Sequence, residues 1–175
     1  ETSPEAQVPT RVTQLILAEK PLTNPPPELV PILRALYTQH SLSQVETRAL
    51  VCAFYDEHFT SLDEFASFME PVAMGVMRVI FGVHSCPEPS SPHYVDVLLS
   101  TYNNATPGMV MTAVERSPWS VRVRVDHPPR TVLDVHRAAI AAVVRAEFLA
   151  TGSKLAEVKV VSRADDHFVL TARWR

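Results

Sequence analysis

The sequence predicts an α+β fold, in which a helical first half precedes a β-β-α-β-β unit that forms an antiparallel four-stranded sheet with one long helix across it. Apolar residues recur at helical spacing until about residue 103, and after Gly108 they alternate with polar residues. Most of the 15 prolines lie within the first 31 residues, at 87–92 and at 118–129. These groups mark connections, because proline continues neither a helix nor a central strand.

We therefore expect an N-terminal extension over residues 1–25 and a single α+β domain over 26–175. The helical part of this domain spans 26–105 and the sheet part spans 106–175. Residues 11–19 fit a short helix or a strand equally well, since the apolar spacing there matches both.

The first half contains several helix signals. Leu29, Ile32, Leu33 and Leu36 predict a helix near 27–39. Ser43 to Glu46 and Ser61 to Glu64 each match a capping box, so a helix begins at each, the first ending near His58. Pro71 predicts a kink or break in the second, and Gly75 predicts close packing of another element. A further helix is predicted over about 92–103.

The second half contains four strand signals around a long helix. Strands are predicted over 109–116, 119–126, 155–162 and 167–174. In the second strand one face carries Trp119, Val121, Val123 and Val125. The long helix opens at Thr131 to Asp134 and runs to about Ala150, with Gly152 just beyond its end.

Composition excludes several classes of protein. The chain is 46% apolar and 20% charged with a net charge of -3, which is typical of a globular domain and not of a nucleic-acid binder. No apolar run approaches the roughly 20 residues that span a bilayer. With two cysteines, Cys52 and Cys86, a disulfide framework is not indicated, and we expect reduced thiols and a cytoplasmic location.

The histidines and the charged residues are the candidates for catalysis, metal binding and anion binding. His84, Cys86 and His93 supply three neighbouring ligands where zinc usually takes four, so no metal site is predicted. Phosphate loops, hydrolase elbows and zinc-protease motifs are missing from the sequence. Four cations are predicted on the outer face of the sheet, where they either meet an anion or acidic partner or form an ordinary solvated face: Arg122, Arg124, Lys159 and Arg173.

Methionine and phenylalanine side chains are concentrated on the elements expected to face one another. Side chains of these types either line an adaptable ligand pocket or form an ordinary hydrophobic core. A pocket there is predicted to be lined by Phe65, Met69, Met77, Phe81, Tyr94, Leu98 and Tyr102.

The segments 114–125, 158–161 and 165–174, with the long helix between them, resemble the H-NOX and 4-vinyl-reductase group of ligand-binding sensory domains. They are also similar to a family of this length, of unknown function, from myxobacteria. The resemblance covers about residues 61–175. The metal-free members of the group are the better analogy, and they imply a bacterial domain of a regulatory or biosynthetic pathway. Such a domain binds a small apolar or amphipathic molecule, or forms a homodimer or a complex with a signalling partner.

The resemblance also bears on haem. Haem-binding H-NOX domains carry a Tyr-x-Ser-x-Arg motif for the haem propionates on the strand before the long helix. The corresponding stretch here, Ser120 to Asp126, has no tyrosine and no such triplet, so no haem cofactor is expected. His93 or His84 lies nearest to the place of the axial histidine in that family.

Three functions follow from these observations. The leading hypothesis is a non-catalytic sensory or regulatory domain that holds an apolar or amphipathic ligand between helices and sheet. The first alternative is an enzyme of secondary metabolism acting on a hydrophobic substrate, with His84, His93 or Tyr102 as acid or base. The second alternative is a haem-based gas sensor.

Overall fold

The computed structural model of the chain describes residues 7–80, 91, 93–154 and 156–175, with side-chain surroundings for all of these except 12, 76–80 and 105. It confirms the α+β class. A 3-10 turn (Pro27–Leu29) precedes the second helix. The described elements are, in order, β1 (Gln7–Pro9), α1 (Thr10–Glu19), α2 (Val30–Thr38), β2 (Ser41–Ser43), α3 (Gln44–His58), α4 (Leu62–Ile80), α5 (Tyr94–Ala105), β3 (Val110–Ser117), β4 (Ser120–Asp126), α6 (Asp134–Ala150), β5 (Ala156–Arg163) and β6 (His167–Trp174).

The capping box that opens α3 is complete. The backbone N–H of Glu46 donates to Ser43 Oγ at 3.2 Å, and the N–H of Ser43 donates to Glu46 Oε2 at 2.9 Å. At α4, Ser61 Oγ accepts from the N–H of Glu64, whereas the Glu64 carboxylate accepts from Thr60 and not from Ser61. Both helices therefore begin where the sequence predicts, but only α3 has the reciprocal pair of bonds.

The sequence predicted a kink or break in α4 at Pro71, and the predicted break is wrong. The helix runs unbroken from Leu62 to Ile80. Pro71 and Ser67 are both exposed, so the Ser67 carbonyl that loses its helical donor can bind water instead. Packing of α4 along α6 supports the helix on its other side.

The segment before residue 26, expected to be an extension, contains β1 and α1. β1 pairs with β2 in a two-stranded antiparallel ribbon that the sequence did not predict. Residues 11–19, whose apolar spacing fits either a helix or a strand, belong to α1, which buries Ile16 and Leu17 against α2, α3 and α4. The helical core therefore includes this segment.

The main sheet has the order β3-β4-β6-β5, with every neighbouring pair antiparallel. Register pairs such as Val123 with Leu170 place the apolar residues of adjacent strands on one buried face. Bulges interrupt both edge strands, β3 beside Ala113 and β5 beside Val160.

Two predictions around the sheet are wrong in detail. Trp119 does not share the buried face of β4, because it lies in the turn before the strand and is 50% exposed. Thr131 does not cap α6: its hydroxyl donates to the Pro128 carbonyl. The helix begins at Asp134, and Leu133 occupies the N-cap position without a side-chain hydrogen bond. Gly152, with φ of +104°, does end α6 as predicted.

Two apolar cores meet at α6. One lies between the sheet, α5 and one face of α6, and includes Phe148, Phe168 and Trp174. The other lies among α1 to α4 and the opposite face of α6, where Ala138, Ala139 and Ala142 let neighbouring helices approach closely. Within the described residues, every helix is too short or too polar to cross a membrane.

Candidate functional site

A small apolar cavity lies inside the helical core, against the alanine face of α6. Its volume is about 20 Å³, which is room for about one water-sized molecule. Four helices supply the walls: Thr13, Ile16 and Leu17 from α1, Leu50, Val51 and Phe54 from α3, Phe65 and Met69 from α4, and Ala139 from α6.

Helical spacing places these side chains together. Leu50 and Phe54 lie four residues apart on α3, as do Phe65 and Met69 on α4, so each pair presents one face to the cavity. Phe54, Phe59 and Phe65 contact one another edge to face or tilted, with ring centroids 5.3 to 6.4 Å apart. The aromatic walls are therefore rigid, and Met69 is the flexible side chain of the lining.

The structure does not bring the seven predicted lining residues to one place. Phe65 and Met69 line the cavity. Tyr94, Leu98 and Tyr102 lie on α5 in the other core, against the sheet. Phe81 lies outside the described residues, as does the side chain of Met77.

Polar groups are buried at the amino-terminal end of α6, close to the cavity. Gln44 and His136 are each 5% exposed and Thr47 is 7% exposed. Gln44 Oε1, Thr47 Oγ1 and both ring nitrogens of His136 have no hydrogen-bond partner in the described part of the chain. Burial, reinforced by the positive charges of Arg48 and Arg137, lowers the pKa of His136 to about 4. The imidazole is therefore neutral at pH 7.

A second polar group lies at the other end of α6. Glu147 is 3% exposed, and burial raises the pKa of its carboxyl to about 7. Burial and the negative charge of Glu147 raise the pKa of Tyr102 well above its usual value, so the phenol is not a base. Next to them, the Tyr94 hydroxyl lies 2.8 Å from Thr151 Oγ1, which fixes α5 to the end of α6.

The histidines and cysteines chosen from the sequence do not form a described site. His93 is exposed at the start of α5, and His84 and Cys86 lie outside the described residues. Cys52 is a free thiol whose pKa is raised by burial. Among the residues that the structure describes, no three His, Cys, Asp or Glu side chains are grouped to hold a metal ion.

The four predicted cations do share the outer face of the sheet, but acids lie among them. Arg122 pairs with Glu115 at 2.9 Å, and Lys159 pairs with Glu157 at 2.5 Å. Arg124 pairs with Asp126 at 2.8 Å, and Arg173 lies near Glu157. The face therefore has a small positive excess and not a continuous row of free cations.

Sequence reasoning missed His136, Glu147 and the cavity residues that α1, α3 and α6 supply. His136 and Glu147 sit on a helix whose two faces are both buried, and only the tertiary structure shows that second face. The available signal was the run of alanines in 138–146, which indicated a close packing surface. We assigned that surface to the sheet alone, although α4 packs on it too.

No family model matches the chain, and no curated protein sequence matches it significantly. Solved structures do match. The chain is similar to the Fe(II) unliganded H-NOX protein from K. algicida, with a TM-score of 0.59 and 9% identity over 96% of this chain and 97% of that one. It is similar to a mutant of T. tengcongensis H-NOX, with a TM-score of 0.56 and 7% identity over 95% and 96%. A structure described as probing heme distortion in the H-NOX family has a TM-score of 0.51 and 6% identity, over 95% and 86%. The fold is that of H-NOX domains.

Proposed function

We propose that this chain is a small-molecule-binding sensory or regulatory domain whose ligand enters the cavity between α1, α3, α4 and α6. The observation that carries this proposal is the apolar cavity itself, which lies where four helices meet the alanine face of α6. Hydrophobic and aromatic walls with a few polar groups at one end are typical of ligand sites. The fold supports the proposal, since the similar structures belong to H-NOX proteins.

Two of the similar H-NOX structures concern an Fe(II) protein and heme distortion, and both favour the alternative function, a haem-based gas sensor. A haem site needs an axial ligand, partners for two propionates and a slot of ligand size. His93 is exposed at the start of α5, away from both cores. The arginines of β4 face outward and pair with Glu115 and Asp126.

Space is the stronger objection to haem. Ligand pockets for molecules of this size usually measure roughly 300–1,000 Å³, whereas the cavity holds about 20 Å³. Helix α4 packs directly along α6, and the Glu70 carboxylate is ion-paired with Arg145 across that contact. The described residues do not fit a haem, and we propose a ligand without a tetrapyrrole.

The experiment that separates the two functions is a hemin titration together with native mass spectrometry of the protein as purified. We expect no stoichiometric Soret band and either a bare protein mass or a small added mass that is released on unfolding. A one-to-one haem complex with an axial-histidine spectrum, abolished by His93→Ala, His84→Ala or His136→Leu, would overturn the proposal in favour of the haem sensor.

We further propose that the domain reports its ligand to a second copy of itself or to a signalling partner. The outer face of the sheet supports this, since it is open and carries a small positive excess from Arg122, Arg124, Lys159 and Arg173. A mass measured in solution at several protein concentrations tests for the dimer. If the protein is a monomer at all concentrations, with and without ligand, then the homodimer is excluded. Only the version of this proposal with a separate signalling partner then remains.

A further inference from the structure

The buried polar groups near the start of α6 lie one helical turn from the cavity. Thr47 precedes the cavity residue Leu50 by three positions on α3, and His136 precedes Ala139 by three positions on α6. Residues three apart share a helix face, so both polar side chains continue the wall of the cavity toward the same end.

A contact of Arg48, on α3, shows that α3 and α6 begin at the same end of the helical core. Arg48 Nη1 donates to the carbonyl of Arg130, in the segment that leads into α6. Its charge also acts on the His136 imidazole, together with that of Arg137. The polar side chains of α3 and α6 therefore lie toward the same end of the helical core, next to a cavity whose walls are mainly apolar.

The side chains at this polar end are buried, but several of their polar atoms lack hydrogen-bond partners. Gln44, Thr47 and His136 are each more than nine-tenths buried, and four of their polar atoms have no partner among the described residues. Buried polar groups in native proteins nearly always have a hydrogen-bond partner, and leaving one unpaired costs roughly 1–3 kcal/mol. A partner that the chain does not supply is therefore expected at this end.

We propose that Gln44, Thr47 and His136 form the head-group site for a short amphipathic carboxylic acid whose hydrocarbon chain enters the cavity. This rests on the function proposed above and names its ligand class. The neutral imidazole and the threonine hydroxyl can each donate a hydrogen bond to a carboxylate, and the amide oxygen of Gln44 accepts one from a bridging water.

The local charge favours an acid over an amine or an alcohol. Arg48 and Arg137 both act on His136. The nearest described acid on α6, Asp134, is already paired with Arg137 at 2.9 Å and with Arg163 at 3.3 Å. The guanidinium groups of Arg48, Arg137 and Arg163 thus outnumber this one carboxylate, and an excess of positive charge beside a desolvated site stabilises negative charge there.

The size of the cavity limits the hydrocarbon chain. A volume of about 20 Å³ admits only a small group without rearrangement. Met69 is unbranched and adopts several rotamers at small cost, so its movement is the simplest way to lengthen the space. A chain of a few carbons is therefore the expected ligand.

The test compares hexanoate, hexanol and hexylamine, which differ only at the head group. Binding is followed by the methyl resonance of Met69 and by the imidazole resonance of His136. We expect hexanoate to bind about tenfold more tightly than the other two, and to raise the pH at which His136 titrates. Thr47→Val, which keeps the side-chain shape, is expected to weaken hexanoate binding about fivefold.

Two further variants make the test independent of one substitution. Gln44→Met removes the amide oxygen with little change of shape and is expected to weaken hexanoate binding too. Thr38→Val, at an exposed hydroxyl that bonds only within α2, is the matched control and should leave it unchanged.

The outcomes distinguish this inference from the proposed function. Equal binding of all three probes, with His136 unaffected, overturns the head-group site and leaves the apolar cavity site standing. Hexanoate affinity unchanged by both Thr47→Val and Gln44→Met overturns it as well. If neither the three probes nor xenon shifts the Met69 methyl, then both proposals fail and the polar end holds only water.

Discussion

The carboxyl group of Glu147, on α6, lies beside the phenol of Tyr102, on α5, inside the protein, and each of the two groups shifts the pKa of the other. His136 is buried in the same way three turns earlier on the same helix. Helix α6 thus buries an acid near one end and a base near the other, and burial favours the uncharged form of each. The pH dependences that these two residues give to the stability of the fold therefore have opposite signs.

Glu147→Gln is expected to change the pH dependence of folding. The pKa of Glu147 is raised from 4.5 to about 7, so the folded state holds its proton more tightly than the unfolded state. Its contribution to stability is present below pH 4.5 and is lost as the pH rises to about 7, by about 3 kcal/mol in total. Chemical denaturation of the variant should lack this loss.

The control for this experiment is Glu28→Gln, at an exposed carboxyl in the 3-10 turn. It should reproduce the pH profile of the original protein. If Glu147→Gln also does so between pH 4.5 and 7, then Glu147 is not a buried neutral acid.

His136→Leu is expected to have the opposite effect. The pKa of His136 is lowered from 6.5 to about 4, so the unfolded state takes up a proton first as the pH falls. This residue therefore destabilises the fold increasingly between pH 6.5 and 4, by about 3 kcal/mol in total. The variant should gain stability relative to the original protein at pH 4 to 5, measured by thermal or urea unfolding. A constant difference between the two proteins at all pH values would contradict a buried, neutral imidazole.

Gly75→Ala is expected to stabilise the protein by about 0.5–1 kcal/mol. The sequence had indicated a close approach at this glycine, but a methyl group placed there meets no atom within 4 Å. Removing a glycine from the middle of α4 then mainly reduces the entropy of the unfolded chain. The matched comparison is Gly152→Ala, which should destabilise because φ there is +104°. Urea midpoints that move in the same direction for both variants would refute this distinction.

Ser43→Ala is expected to destabilise the protein by about 1–2 kcal/mol, and Ser61→Ala by less. Each substitution removes a hydroxyl that accepts from the N–H three residues further on, but Ser43 is buried, whereas water can replace the hydroxyl of exposed Ser61. Equal losses for the two variants in thermal unfolding would show that the burial of Ser43 adds nothing to its cap.

Local patterns predicted most of the secondary structure because they have local causes. The β4 alternation from Val121 to Val125 and the capping box at Ser43 gave element positions within a few residues. Predictions failed where tertiary contacts decide. Pro71 stays helical because α4 packs along α6, and β1 exists only because β2 pairs with it.

The candidate site was less predictable for the same reason. Phe65 and Met69 were identified as lining residues from their side-chain types. Tyr94 and Tyr102 were grouped with them, but α6 separates the two cores. Thr13, Leu50 and Ala139 come from helices far apart in sequence, and no local pattern brings them together.

The most direct test of the central claim is methyl NMR of the protein under xenon and with hexanoate, compared with Ala139→Leu. The leucine side chain would fill the cavity from α6, while Ala18→Leu, at an exposed position on α1, serves as the control. We expect saturable shifts of the Met69 and Leu50 methyl groups in the original protein and in Ala18→Leu, and none in folded Ala139→Leu. Shifts that persist in Ala139→Leu, or that are missing from all three proteins, would contradict a ligand site in this cavity.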